Sequence, residues 1–191
     1  MYQNNIELIE TSNSELDNNI TSRNSNKSNK NIKFIKQFKC KNVYITGFLC
    51  GIIALLLNTI VLYIFSYLFN NSEDVSDDIK KSFKKSPITL ITGMCIIGPV
   101  IEELIFRRII FYFISKWNLI AGYLVSSFLY SSYHFGYLNF SLIIDYWDRF
   151  IIWFIIGILF AYSYDRDRCI LSSIISHIIH NSIILLLSLL N

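Results

Sequence analysis

Residues 98–108 read GPVIEELIFRR, and they sit inside one of the most apolar parts of a 191-residue chain. Glu102 and Glu103 are adjacent, Arg107 follows Glu103 by four positions, and Arg108 comes next. A charged side chain at the centre of a membrane helix costs roughly 2.5–3.5 kcal/mol, so four together are improbable decoration. On a helix Glu103 and Arg107 share a face and suit an ion pair across one turn. Glu102 is rotated by about 100° from Glu103, so the two carboxylates cannot share one role. One can be held by the arginine while the other points into a cavity.

The surroundings of this stretch read as membrane protein. Hydrophobic residues make up 53% of the chain and aromatic residues 16%, and the mean hydropathy is +0.43 despite a very polar N-terminal region. Residues 1–42, rich in Asn, Ser and Lys, lack the apolar periodicity that offsets chain entropy and are expected to be a disordered tail. Lys27, Lys30, Lys33, Lys36, Lys39 and Lys41 gather at its end. A long apolar run follows at once, so they read as a cytoplasmic juxtamembrane anchor rather than a nucleic-acid patch.

That run, residues 43–69, is long enough to span a bilayer and too long for a signal-peptide core. Residues 70–86 form a charged loop whose second half has amphipathic character, and Pro87 suits the start of a second helix, 87–114. Further apolar segments cover 119–135, 150–164 and 169–190. The expected fold is therefore all-α, a polytopic transmembrane bundle of about five membrane helices, with residues 87–190 as its core. Lys116, Arg166 and Arg168 would share the cytoplasmic side with the N-terminus, while the four lysines at 80–85, whose loop also carries four acids, would fall on the other, so the positive-inside bias favours this orientation only in part. The composition suits a bacterial plasma membrane. Cys40, Cys50, Cys95 and Cys169 show no CxxC or metal-type spacing and read as free thiols.

All three histidines, His134, His177 and His180, fall in these apolar segments. An unpartnered polar group costs about 2–7 kcal/mol in hydrocarbon, so such side chains face one another or water. Tyr130 and His134 are four apart on one segment, His177 and Asn181 four apart on another, and each pair is co-facial. A bundle could bring these stripes onto the glutamates. A carboxylate removed from water holds its proton more tightly, so it can take a proton from water and later return it. Imidazoles beside it can position the water or ligate a metal, and an imidazole or amide can donate to an oxyanion. Those parts together describe hydrolysis of an amide bond within the bilayer. No HExxH, no GxSxG and no membrane-depth pair of aspartates is present.

These residues also carry a resemblance. EELIFR (102–107) resembles the EExxxR motif of the CPBP family, the CAAX-processing and bacteriocin-processing (Abi) intramembrane glutamic or metallo-endopeptidases. YSSYH (130–134) is similar to the family's FxxxH, with Tyr130 where phenylalanine is usual, and HIIHN (177–181) matches its HxxxN. The resemblance covers roughly residues 88–190. It implies that Glu102 is the water-activating base with His134 beside it, that Glu103 and Arg107 support the site, and that His177 and Asn181 complete it. Tyr130 and His180 would line it. Zinc is the cofactor the resemblance allows, with His134, His177 and Glu102 as its ligands. The expected partners are the lipid bilayer and a peptide or membrane-protein substrate. Two other readings stay open at this point: a non-proteolytic bacteriocin-immunity or scaffold protein of the same fold, and a small ion or proton transporter built on a Glu/His relay.

Overall fold

A computed structural model of the chain describes residues 38–69, 76–136 and 139–190. The expected disorder of the tail therefore concerns residues outside the described ones, except for its last five. All that follows belongs to the compact unit Cys40–Asn191. Among the described residues it has seven helices and no strand.

Helix α1 is Lys41–Phe69, so helix begins two residues before the apolar run itself. Helix α2, Ser76–Lys85, occupies the second half of the charged loop. Asp77 and Asp78 in its first turn and Lys84 and Lys85 in its last complement the helix dipole, which lets so polar a segment wind up. Helix α3 runs Pro87–Ser115, with Pro87 at the first turn, where a missing N–H costs nothing. Helix α4 is Leu119–Tyr133, started by the Asn118 side chain accepting from the Ala121 N–H at 3.0 Å. A short α5 (Phe140–Asp145) leads to α6 (Trp147–Asp167) and α7 (Ile170–Leu190). The α6–α7 corner turns at Arg168, whose φ of 50° places a non-glycine residue in the left-handed region at the helix end.

Four helices, α1, α3, α6 and α7, are long and apolar enough to cross a bilayer, and the chain is an integral membrane protein. Their outer faces present Ile53, Leu56, Ile60, Ile97, Ile101 and Leu186, an apolar surface suited to lipid and not to water. The expected fifth span differs. At 15 residues α4 is about 22 Å long, short of a ~30 Å hydrocarbon core. Its last turn carries Tyr130 and its C-cap is His134, so the short helix ends at the site.

Small residues set the helix spacing. Gly47 and Gly51 on α1 face α7, where an added Cβ would stand 2.8 Å from Ile175 Cβ and 2.9 Å from Ile179 Cβ. The backbones are therefore in close approach, as small residues four apart allow in membrane helices. Ser176 Oγ donates to the Gly47 carbonyl at 3.0 Å across that contact. Ser131 Oγ donates to Phe150 O at 2.7 Å and Ser172 Oγ to Ser163 O at 2.7 Å, so these two buried hydroxyls bind backbone.

Candidate active site

Helix α3 is uneven in a way that shapes the site. It widens into π-type turns at Gly93–Ile97 and again at Leu104–Phe111, on either side of the stretch Gly98–Glu103. Pro99 is the chemical cause of the first irregularity: it has no N–H to give, and its ring crowds the preceding turn of a regular helix. The Gly98 N–H reaches back five residues to the Gly93 carbonyl, closing a wide turn. A Cβ on residue 98 would stand 2.7 Å from that carbonyl oxygen, so glycine is required there.

Below the proline the two glutamates diverge. The Glu103 side chain is fully buried, with Oε2 3.3 Å from Arg107 Nε and Oε1 3.0 Å from His177 Nδ1. Arg107, also fully buried, donates from Nη2 to the Gly157 carbonyl at 3.0 Å. Its guanidinium lies 4.5 Å from the centre of the Tyr130 ring, with Phe160 and Phe106 on its other flanks. Gly157 allows this approach: a Cβ there would meet Ser127 Cβ at 3.0 Å and Tyr130 Cδ1 at 3.1 Å. The sequence stretch opened above thus contains a buried ion pair within α3, tied to α6 through Gly157 and to α7 through His177.

Glu102 points elsewhere. Its Oε2 lies 3.8 Å from His134 Nε2 and 3.8 Å from His177 Nε2, so all three expected groups converge. Hydrogen bonding fixes the ring nitrogens. His134 Nδ1 is 2.9 Å from the Tyr130 carbonyl, which only accepts, so Nδ1 carries the proton and Nε2 offers a lone pair. His177 Nδ1 donates in the same way to Glu103. Both Nε2 atoms therefore face Glu102 Oε2, which has no hydrogen-bond partner of its own; the His134 lone pair is open to a water, while that of His177 has the Tyr130 hydroxyl 3.4 Å away. A water molecule seated there would have acceptors for both of its protons.

Accessibility divides the cluster. The Glu102 and His134 side chains keep 15% and 20% of their surface exposed, whereas His177 keeps 1%. The first two can meet a substrate, and His177 lies beneath them. Flat aromatic contacts hold both rings. His134 stacks on Trp153 at 4.1 Å and 15°, and His177 on Phe160 at 4.6 Å and 27°. The Tyr130 hydroxyl, buried behind the histidines, stands 3.4 Å from His177 Nε2, which gives the extra oxygen of this tyrosine a partner.

The remaining expected residues fall beside this cluster rather than within it. Asn181 Nδ2 donates to the Met94 carbonyl at 2.9 Å, and its Oδ1 accepts from His180 Nδ1 at 3.0 Å. Arg108 lies outside the clamp, with its guanidinium over the Tyr112 ring at 5.5 Å. Sequence reasoning missed Trp153, Phe160 and Gly157. The first two look like ordinary apolar helix residues, and only Gly157 left a signal, as an isolated small residue in a bulky run.

The zinc expectation can be set against these donors. Among the described residues, no group of three or more His, Cys, Asp or Glu side chains is arranged to hold a metal ion. As they stand the three side chains do not fit zinc, and no step below is routed through it.

Four bilayer-length helices, a carboxylate and two imidazoles that meet in the bundle, and a buried ion pair behind them define an integral membrane protein with a polar site at its core. Residues 84–183 match the model of the type II CAAX prenyl endopeptidase Rce1-like family, and the chain belongs to that family of proteases. The matched span includes every site residue named above. No curated protein and no solved structure matches the chain.

Proposed function

We propose that this protein is an intramembrane endopeptidase that hydrolyses a peptide bond with water activated by Glu102 and His134. The observation that carries this reading is the convergence of Glu102 Oε2, His134 Nε2 and His177 Nε2, two of them in partly exposed side chains, within an apolar bundle. A water at that point gives one proton to Glu102 as its oxygen attacks the scissile carbonyl, while the His134 lone pair orients it. Glu102 then returns the proton to the departing amine nitrogen as the C–N bond breaks, and the carboxylate is regenerated. His177 lies beneath Glu102, its ring fixed by the Nδ1–H bond to Glu103, which Arg107 holds in turn. The Nδ1–H bonds of both histidines set their tautomers before substrate arrives, so little reorganisation is left for the reaction itself.

The family's name suggests the first substrate to try: a C-terminal peptide carrying a prenylated CAAX-type cysteine. We propose a bacterial plasma membrane with the N-terminus cytoplasmic, on composition and the distribution of basic residues. The test is cleavage in proteoliposomes of a farnesylated CAAX-type peptide and of an unprenylated transmembrane peptide. Cleavage of either, abolished by Glu102→Gln and by His134→Ala in protein that still folds, is the expected result. Full activity of either variant overturns the mechanism. Biological protection that persists in both variants would favour an immunity or scaffold role instead.

A further inference from the structure

Asn181 is bonded in a way that its place in HIIHN does not explain. Its amide nitrogen goes to the Met94 carbonyl, 87 residues away on α3. Met94 lies in the widened turn, and its carbonyl has lost both of the donors a helix would give it. The Gly98 N–H, four residues on, is turned to the Gly93 carbonyl instead. Residue 99, the donor a π-type turn would use, is proline and has no N–H. An unsatisfied carbonyl is costly in hydrocarbon, and Asn181 supplies the missing proton. The orientation of the amide is fixed by chemistry: Met94 O can only accept, and His180 Nδ1 donates to the opposite end. The turn so held is the one against which the catalytic carboxylate rests, since a Cβ on Gly98 would stand 3.6 Å from Glu102 Oε1.

We infer that Asn181, oriented by His180, is a positioning residue: an interhelical clasp that replaces the backbone hydrogen bond Pro99 removes and thereby sets the place of Glu102. One of the two N–H groups of its amide is committed to Met94. The inference about Glu102 rests on the endopeptidase reading above; the clasp itself does not.

The clasp predicts a specific suppressor. Pro99→Ala restores a backbone N–H, so Met94 O no longer needs Asn181. Asn181→Ala should lower the thermal midpoint of the detergent-solubilised protein, and lower kcat roughly 10- to 100-fold with KM little changed. In a Pro99→Ala background both penalties should largely disappear. A direct spectroscopic readout needs no activity: the chain has two methionines, Met1 and Met94, so 1-13C-methionine labels only two backbone carbonyls. One of their infrared bands should move to higher wavenumber in Asn181→Ala and return in the double variant. Equal penalties from Asn181→Ala in the native and the Pro99→Ala backgrounds would overturn the clasp, as would a carbonyl band that Asn181→Ala leaves unmoved. If the wild-type protein cleaves no peptide, the endopeptidase reading fails while the band and the melting cycle still decide the clasp.

Discussion

At Glu103 the carboxylate is sealed on every side, with an arginine against one oxygen, an imidazole N–H against the other and no exposed surface. One residue earlier, Glu102 has two imidazole Nε2 atoms 3.8 Å from one oxygen in place of an arginine, and a sixth or so of its side chain is open. Two identical side chains, about 100° apart on one helix, are thus divided between holding the bundle and meeting a substrate. A fully paired buried charge has nowhere to send a proton without breaking its pair. A partly exposed carboxylate with no cation against it, beside the His134 lone pair, has both the proton acceptor and the access that hydrolysis needs.

The sharpest way to break this comparison is to neutralise each side in turn. Glu102→Gln should reduce turnover on the order of 10²- to 10⁴-fold, the usual contribution of a positioned acid–base group, and leave the melting temperature nearly unchanged. Arg107→Ala should do the reverse. It strands the Glu103 carboxylate in an apolar interior, which typically costs about 3–5 kcal/mol, and the loss should appear as unfolding in detergent and poor membrane yield. Were Arg107→Ala to fold and melt like wild type, the buried pair would not hold the bundle. A smaller effect is expected at Trp153, whose indole stacks flat on His134. Trp153→Ala should weaken the fold by roughly 0.5–1.5 kcal/mol beyond the area lost, and reduce kcat more than it alters KM, because the histidine is then free to turn. The smallest effect expected is from chelation. With the donors arranged as they are, 1,10-phenanthroline should leave activity intact, whereas loss that added zinc restores would make ligands of Glu102, His134 and His177.

Much of this division was legible in the residues before any coordinates. The spacing of Glu103 and Arg107 already gave the ion pair, and polar groups in apolar segments had to face one another. The histidine stripes announced themselves because unpartnered imidazoles are so costly in hydrocarbon. Other features were not readable, for physical reasons. The helix limits of α4 depend on where the chain turns, not on how apolar it is, so residues 119–135 looked like a span although the helix is 15 residues long. The role of Phe160 and Trp153 as supports for the imidazoles is a matter of which helix packs where, and an aromatic residue looks the same in either case. Gly98 and Pro99 could be noticed but not interpreted, since the wide turn they require is seen only in the direction of the Gly98 N–H. Asn181 had a motif to place it, yet its partner, a backbone carbonyl, leaves no mark on a sequence.

The most direct test of the central claim follows the oxygen of water. Wild-type protein in proteoliposomes is given the peptide substrate in H2¹⁸O, and the products are weighed by mass spectrometry beside those of Glu102→Gln. Activation of water by Glu102 predicts one ¹⁸O in the newly formed carboxyl group of the wild-type product and roughly 10²-fold or more less product from the folded variant. Product free of ¹⁸O, or equal labelled product from Glu102→Gln, would contradict it.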